Sequence, residues 1–516
     1  MSDNPQEPRE YDAVLGGENP PPVDGAVLGG IEGVKRRFTS KVVKVRIAAL
    51  RDALNYGDAG LDLVIEALQD ESTLVKDAAL ELLIHREELE AQLALLLRFQ
   101  PVNAKGYNER GLVRQKFGDL QGAIYDFCEA TYRDENNLTF IYNRGFCRQE
   151  LGDLDRAITD YCQVIELDDL YTDAYLNRGL CLQHSECIQQ AITDFSKVIY
   201  IDNQCTTAYL SLGICLQSLG NIQEAFINFC KVIELDDTCT DAYLNRGLCL
   251  QFLGNYEWAV YDYLYAIIYQ PNSLIAYHNS GFCWHKLGEY QQAIKDYSEA
   301  MNIDHSYPHS YIGRAQVNTD LGNYKEAIED YELIIEGNFE PSLKALAYTF
   351  CGVIKSATGN NQEAIMDFNQ AIAINPNYID VYINRAAIKT NLGDFIGAIA
   401  DYSRIILLNP QYLEMYYYYR GNCHLFRKDY INAIQDFTQA IEINPNYLDA
   451  YYNRGCSNFS RKDYLAAIND FSSAIKIDPQ YIRAYDAKAN AHVELGEITT
   501  AEFYFQKVKE LKELEG

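Results

Sequence analysis

Small and apolar residues recur along four fifths of the chain with a period of 34, and within each period they fall at helical spacing. A Gly or Ala holds one phase throughout: Gly111, Gly145, Gly179, Gly213, Gly247, Gly281, Ala315, Gly352, Ala386, Gly421, Gly455 and Ala489. With that residue as position 8, an aromatic stands at position 4, Ala at position 20 (Ala123, Ala157, Ala191 through to Ala501) and Phe or Tyr at position 24 (Phe127, Tyr161 through to Phe505). Two facing stripes of this kind predict a helical hairpin, with small residues where its helices approach closely. Turn signals agree: Leu151-Gly152-Asp153, Leu219-Gly220-Asn221 and Leu392-Gly393-Asp394 inside units, Asn375-Pro376, Asn409-Pro410 and Asn444-Pro445 between them.

Units begin near residues 104, 138, 172, 206, 240, 274, 308, 345, 379, 414, 448 and 482, with three extra residues after the seventh and one after the ninth. One hairpin cannot bury its own apolar stripe, so the pattern predicts an all-α stack in which neighbours cover one another. A different segment precedes it. Residues 1–30 repeat Ala13-Val14-Leu15-Gly16-Gly17 as Ala26-Val27-Leu28-Gly29-Gly30 around Pro20-Pro21-Pro22 and read as an irregular arm; residues 31–103 read as helical, with Val45-Arg46-Ile47-Ala48-Ala49-Leu50 returning as Val75-Lys76-Asp77-Ala78-Ala79-Leu80.

Position 4 aromatic (Tyr107, Tyr175, Tyr209, with Ile141 in the second unit), 8 Gly, 20 Ala, 24 aromatic, 27 Ala or Val and 32 Pro resembles the tetratricopeptide repeat over residues 104–515. The resemblance implies a right-handed α-solenoid of twelve hairpins whose concave groove, lined by the first helices, takes a peptide or a partner's helix. The phrase at 45–50 and 75–80 resembles the second-helix core of HEAT repeats, which implies a short HEAT-like domain at 31–103. Together with the arm it is similar to segments that precede repeat arrays in cyanobacterial proteins. Its expected role is a cap on the first hairpin, or a docking module that uses its basic helix.

If the family's geometry holds, positions 2, 5, 6, 9, 12 and 13 face the groove. Position 6 is Asn143, Asn177, Asn245, Asn279, Asn384 and Asn453, and position 12 is Gln115, Gln149, Gln183, Gln217 and Gln251 in the first five units. A carboxamide both donates and accepts, so it can pair with a peptide unit without reading sequence. The ladder resembles that in the repeat arm of O-linked N-acetylglucosamine transferase, which implies an extended polypeptide ligand. Apolar residues between the amides, Leu176, Leu180, Leu210, Ile214, Leu244, Leu248 and Phe282, are candidate side-chain pockets. The plainer reading makes these amides tolerated polar residues on a solvated face. A carboxylate clamp needs Lys at position 5, where Tyr142, Leu176, Leu210, Leu244 and His278 stand instead. Thr172–Gln183 and Thr240–Gln251 are the same twelve residues, so duplication of two units shaped the ladder, and a repetitive site suits a long or multivalent ligand.

Charge narrows the partners. The net charge is −29; residues 31–51 carry +6 and residues 104–516 about −22. So acidic a surface repels phosphate backbones, which argues against nucleic acid along the repeats. With no long apolar run and no secretory pattern, no membrane span is expected and a cytoplasmic protein is the default. One or more proteins or peptides are the expected partners, and self-association through the acidic repeats and the basic N-terminal helix is the alternative.

Fourteen cysteines invite other chemistry. Five hold position 10 (Cys147, Cys181, Cys215, Cys249, Cys283) and three position 25 (Cys128, Cys162, Cys230). Stacked helices lie roughly 8–10 Å apart, too far for a ladder of disulfides, which need Cα atoms within about 7 Å. Packing in a reducing compartment is the expected role. Arg at position 7 shares a unit with Asp at position 23 eight times, from Arg110 and Asp126 through Arg246 and Asp262 to Arg454 and Asp470; the fourth unit loses both (Leu212, Asn228), whereas Asp296 and Asp367 lack the Arg. The spacing predicts an ion pair within or between hairpins. No P-loop, GxSxG, HExxH or dinucleotide motif is present, so no catalytic residue, cofactor or metal is assigned; an enzyme of unrecognised chemistry is the remaining alternative. His278, His285, His305 and His309 cluster near the sixth and seventh units and are read as groove histidines rather than metal ligands.

Overall fold

The computed structural model describes residues 30–86, 88–408 and 411–515, without the side chains of residues 89, 90, 514 and 515. The arm at 1–29 and the turn at Asn409-Pro410 lie outside the described residues; Gly30, counted with the arm in the sequence, opens the first helix. Every described element is helical, and the fold is all-α. Contacts divide the chain into two compact units that part between Asn255 and Tyr256.

The first unit begins with α1 (Gly30–Phe38), α2 (Val43–Ala53), α3 (Gly57–Glu66), α4 (Thr73–Leu83) and α5 (Leu89–Leu97). The repeated hexapeptides lie on α2 and α4, where Ala49, Leu50, Val75, Ala79 and Leu80 share one core. Arg46, buried with them, is neutralised by Asp70 at 2.9 Å and donates to the Ser40 carbonyl at 2.8 Å. Helices then come in pairs: α6 (Ala104–Lys116) with α7 (Leu120–Arg133), α8 (Leu138–Glu150) with α9 (Leu154–Leu167), α10 (Thr172–His184) with α11 (Ile188–Ile201) and α12 (Thr206–Ser218) with α13 (Ile222–Leu235), followed by α14 (Thr240–Phe252).

The second unit opens with α15 (Tyr256–Tyr269) and continues in the same way: α16 (Leu274–Lys286) with α17 (Tyr290–Ile303), α18 (Pro308–Asp320) with α19 (Tyr324–Glu336), α20 (Pro341–Ala357) with α21 (Asn361–Ile374), α22 (Ile379–Asn391) with α23 (Phe395–Leu408), α24 (Leu413–Phe426) with α25 (Tyr430–Ile443), α26 (Leu448–Ser460) with α27 (Tyr464–Ile477) and α28 (Ile482–Glu494) with α29 (Ile498–Glu515). The three residues added after the seventh unit lengthen α20 to 17 residues, where α18 has 13. The last helix runs to 18 residues, longer than the 14 of α27.

The small residue at position 8 is dictated by the ring at position 24. A Cβ on Gly179 would stand 2.7 Å from the Phe195 ring, closer than packed atoms come, so glycine lets α10 and α11 meet. First helices also touch the next first helix: α6 with α8, α8 with α10 and α10 with α12 in one unit, α16 with α18, α24 with α26 and α26 with α28 in the other. Second helices meet one another far less. Within each unit the first helices therefore form the more tightly spaced, inner layer.

Candidate functional site

Three of the six asparagines spend a side-chain N–H on the preceding first helix. Asn143 donates to Asn108 Oδ1 at 3.0 Å, Asn177 to Tyr142 Oη at 2.7 Å, and Asn453 to Asn422 Oδ1 at 2.8 Å and Tyr418 Oη at 3.2 Å. Asn245 and Asn384 turn back onto their own helices, donating to the carbonyls of Asp241 and Asp380 at 2.8 and 2.9 Å. Asn279 is half-buried. The ladder thus fastens first helix to first helix at three steps, while among the described residues Asn143 and Asn177 each keep a second N–H and the carbonyl oxygen.

The glutamines are half-buried at the ends of the same helices. Gln149 accepts the Tyr161 hydroxyl at 2.8 Å, and Gln217 points its amide at Cys249 Sγ, 3.8 Å away; Gln115, Gln183 and Gln251 share the position and the partial burial. Between the amides, Leu176, Leu180, Leu210 and Ile214 are half-buried against the core that contains Phe195 and Phe229. Leu248 is half-buried, as is Phe282, which packs beside Tyr297 with the Lys286 ammonium 5.4 Å from its ring.

The Arg–Asp spacing resolves into a pair within one hairpin. Arg110–Asp126, Arg144–Asp160, Arg178–Asp194, Arg314–Asp330, Arg385–Asp401, Arg420–Asp436 and Arg454–Asp470 are joined through Nε and Nη2. Sequence reasoning missed the third leg. The remaining nitrogen, Nη1, reaches position 25 of the preceding hairpin: Cys162 from Arg178 at 3.2 Å, Ser298 from Arg314 at 2.8 Å, Ser403 from Arg420 at 2.9 Å and Thr438 from Arg454 at 3.0 Å. The position-25 cysteines are therefore acceptors as well as packing groups; Arg246 faces Cys230 in the same way at 3.7 Å. Tyrosine at position 4 adds a face for the cation, as Tyr175 does 5.5 Å from Arg178.

The two exceptions have their own partners. Asp296 takes the Ser280 hydroxyl at 2.6 Å and a hydrogen bond from Trp284, and burial raises its carboxyl above the usual range. Asp367 is met by Lys355 at 2.8 Å.

A second feature escaped the sequence reading. Residues at position 5 pack on the tyrosine that closes the same unit: Tyr142 on Tyr171 at 5.3 Å between centroids, His278 on Tyr307 at 5.3 Å, Tyr418 on Tyr447 at 4.9 Å and Tyr452 on Tyr481 at 5.4 Å. The signal was the recurrence of Tyr at position 34.

His278 lies among Tyr297, Tyr307 and His309, with Nδ1 3.3 Å from Ser310 Oγ; burial, and then His309, lower it to about 4. His285 Nε2 meets Asp320 at 2.7 Å. Among the described residues no group of three His, Cys, Asp or Glu side chains is placed to hold a metal. All fourteen cysteines are free. At position 10 they are buried, which pushes Cys147 and Cys283 up to about 12 and Cys181, Cys215 and Cys249 up to about 11.

Models of the tetratricopeptide repeat match residues 415–447 and 448–481, and residues 138–169, 206–239, 308–337, 345–378 and 482–513. Each stretch starts on the 34-residue phase or one residue from it. Those seven stretches are tetratricopeptide repeats. Proteins built of such repeats mediate protein–protein interactions. Solved structures similar to this repeat protein include YrrB, described as a TPR protein with an unusual peptide-binding site (21% identity, 36% of this chain and 95% of that one, TM-score 0.33). MamA from Desulfovibrio magneticus RS-1 matches at 23% identity over 33% of this chain and 96% of its own (TM-score 0.31). A tetratricopeptide repeat protein from Parabacteroides merdae matches at 18% over 47% and 97% (TM-score 0.37). No curated protein sequence matches the chain. Among the described residues of this repeat protein, no helix is long and apolar enough to cross a membrane.

Proposed function

We propose that the chain is a non-catalytic adaptor that holds a polypeptide along the inner layer of first helices, in a cytoplasmic setting. In this reading residues 104–515 are twelve tetratricopeptide repeats and residues 31–103 a HEAT-like domain that caps the first of them. The observation that carries it is the juxtaposition, on α8, α10 and α12, of carboxamides with unspent hydrogen-bonding groups and half-buried apolar side chains, Leu176, Leu180, Leu210 and Ile214. Amides alone are too weak. Six hydrogen bonds at roughly 0.5–1.5 kcal/mol each barely offset the roughly 4–15 kcal/mol lost on association, so the apolar pockets must supply anchors, or several units must engage together.

The test is affinity capture from a lysate with wild type and with Leu180→Asp and Ile214→Asp, folding checked by circular dichroism. Polypeptides lost only from the variants support the inner face. An unchanged set of partners moves binding elsewhere.

A second reading rests on Arg36, Lys41, Lys44 and Arg51, exposed on and between α1 and α2 in a chain of net charge −29. Self-association of this basic surface with acidic repeats should appear in sedimentation as a mass that rises with concentration and falls with salt.

A further inference from the structure

Two turns of the second unit depart from the rule of the others. Most hairpins there turn on a left-handed glycine: Leu287-Gly288-Glu289, Leu321-Gly322-Asn323, Thr358-Gly359-Asn360, Leu392-Gly393-Asp394 and Leu495-Gly496-Glu497. Between α24 and α25 stands Arg427-Lys428-Asp429 instead, and between α26 and α27 Arg461-Lys462-Asp463. Lys428 and Lys462 hold φ of 63° and 68°, which glycine adopts without steric cost and a lysine does not. A strained residue kept in two successive turns signals a use for its side chain.

Arg427, Lys428, Arg461 and Lys462 are all exposed, and among the described residues none of the four is paired with a carboxylate. The carboxylates beside them are spent as helix caps. Asp429 accepts the Asn432 side-chain amide at 2.7 Å and meets His424 at 3.1 Å, and Asp463 accepts the Ala466 N–H at 3.1 Å. Apolar groups project among the cations. Where α17, α19 and α21 carry Gln291, Lys325 and Gln362 in their first turn, α23, α25 and α27 carry Ile396, Ile431 and Leu465, which are 66, 58 and 66% exposed. Phe426, 65% exposed, stacks on Phe395 at 5.3 Å. The pattern stops at the turn between α28 and α29, which Glu494 and Glu497 flank.

These residues share one repeat phase, so they line one edge of the second unit, with successive hairpins roughly 8–10 Å apart. A lipid surface takes both kinds of group at once: headgroup phosphates meet Lys and Arg, and apolar side chains that project beside them enter the acyl boundary. A bound peptide would call for the reverse relief, recesses that receive its own side chains. We propose that the edge built around Lys428 and Lys462 docks the protein peripherally on an anionic lipid surface, with the four cations on phosphates and Phe426, Ile431 and Leu465 inserted between them. In a chain of net charge −29 the acidic remainder is repelled by such a surface, which confines contact to this edge. The site lies at the helix turns and is independent of the inner-face reading, so a polypeptide can be held while the edge is docked.

The test is co-sedimentation of the full chain, at physiological salt, with vesicles of equal parts phosphatidylglycerol and phosphatidylcholine and with vesicles of phosphatidylcholine alone. Sedimentation with the anionic vesicles only is expected. A basic residue at such a surface is worth about fivefold in affinity, so Lys428→Gly together with Lys462→Gly should weaken binding by about tenfold or more. Because glycine relieves both turns, the denaturation midpoint of that variant should rise, and lost binding is then not lost fold. Lys428→Gln with Lys462→Gln, which keeps the strain and removes the charge, should weaken binding equally, and Ile431→Ser with Leu465→Ser should weaken it as well. No sedimentation with anionic vesicles overturns the proposal, as does equal sedimentation with neutral ones. Binding that survives in both lysine variants overturns it too and places the contact elsewhere, as on the basic α1 and α2. A labelled polyglutamate peptide that binds through the two lysines, with no sedimentation on vesicles, would overturn the lipid assignment and give the edge to an acidic polypeptide.

Discussion

Arg178 of α10 holds Asp194 of α11 through two parallel hydrogen bonds of 2.8 and 2.7 Å, and its third nitrogen reaches Cys162 of the preceding hairpin at 3.2 Å. One guanidinium thus ties three helices. The planar fork suits the task, since it meets a carboxylate bidentately and still has a nitrogen to spare. Hydrogen bonding to Asp194 holds the guanidinium charge more firmly than usual.

Removing that cation leaves a buried carboxylate without its partner. Arg178→Ala is expected to cost about 3–5 kcal/mol, read as a lower urea midpoint by circular dichroism, and Arg178→Lys to recover only part of it. A midpoint unchanged in Arg178→Ala would refute the staple.

Asp194 and Asp296 hold the same repeat position with different partners. Asp296 has a hydroxyl and an indole as partners, and burial already raises its carboxyl. Asp296→Asn should therefore be near neutral, whereas Asp194→Asn should destabilise by about 2 kcal/mol or more, because Arg178 is left half-paired. Equal losses in the two variants would contradict this.

His278 is held neutral. Its folded value of about 4 lies below the ordinary 6.5, so its contribution to stability is complete above pH 6.5 and is lost as pH falls from 6.5 to 4, where the unfolded chain takes up the proton first. The His278 imidazole signal, assigned with His278→Gln, should stay unprotonated at pH 5.5 by NMR. Titration near 6.5 would show that Tyr297, Tyr307 and His309 do not exclude water from it.

The turn inside each hairpin needs a left-handed residue. Gly152 supplies it at φ +83°, but Glu186, Lys428 and Lys462 stand at φ 60°, 63° and 68°. Each side chain there costs about 1 kcal/mol, so Lys428→Gly and Lys462→Gly should each raise the denaturation midpoint by a corresponding amount. A fall in either would mean that the lysine makes a compensating contact.

Much of this was legible because it is local and periodic. Gly179 and Phe195, or Arg178 and Asp194, lie sixteen residues apart in one unit, and their recurrence shows through any single copy. Contacts between units were harder to read. Cys162 lies sixteen residues before Arg178, in a hairpin whose own pattern explains it as packing, so its role as an acceptor appeared only when the helices were stacked. The asparagine ladder carried the same ambiguity: an inward carboxamide reads alike whether it waits for a ligand or fastens the next helix, and Asn177 does fasten one. Tyr447 and Tyr481 fell outside the six positions counted as inward, although their recurrence at position 34 was visible.

In the proposed function, ligands meet the first helices. A photo-cross-linking amino acid placed at Leu180 on α10, and in a second protein at Tyr200 on α11, which is 82% exposed, separates the two faces directly. Polypeptide cross-links from residue 180 and none of comparable yield from residue 200 are the expected result. Cross-links confined to residue 200 would place binding on the outer layer and contradict the account.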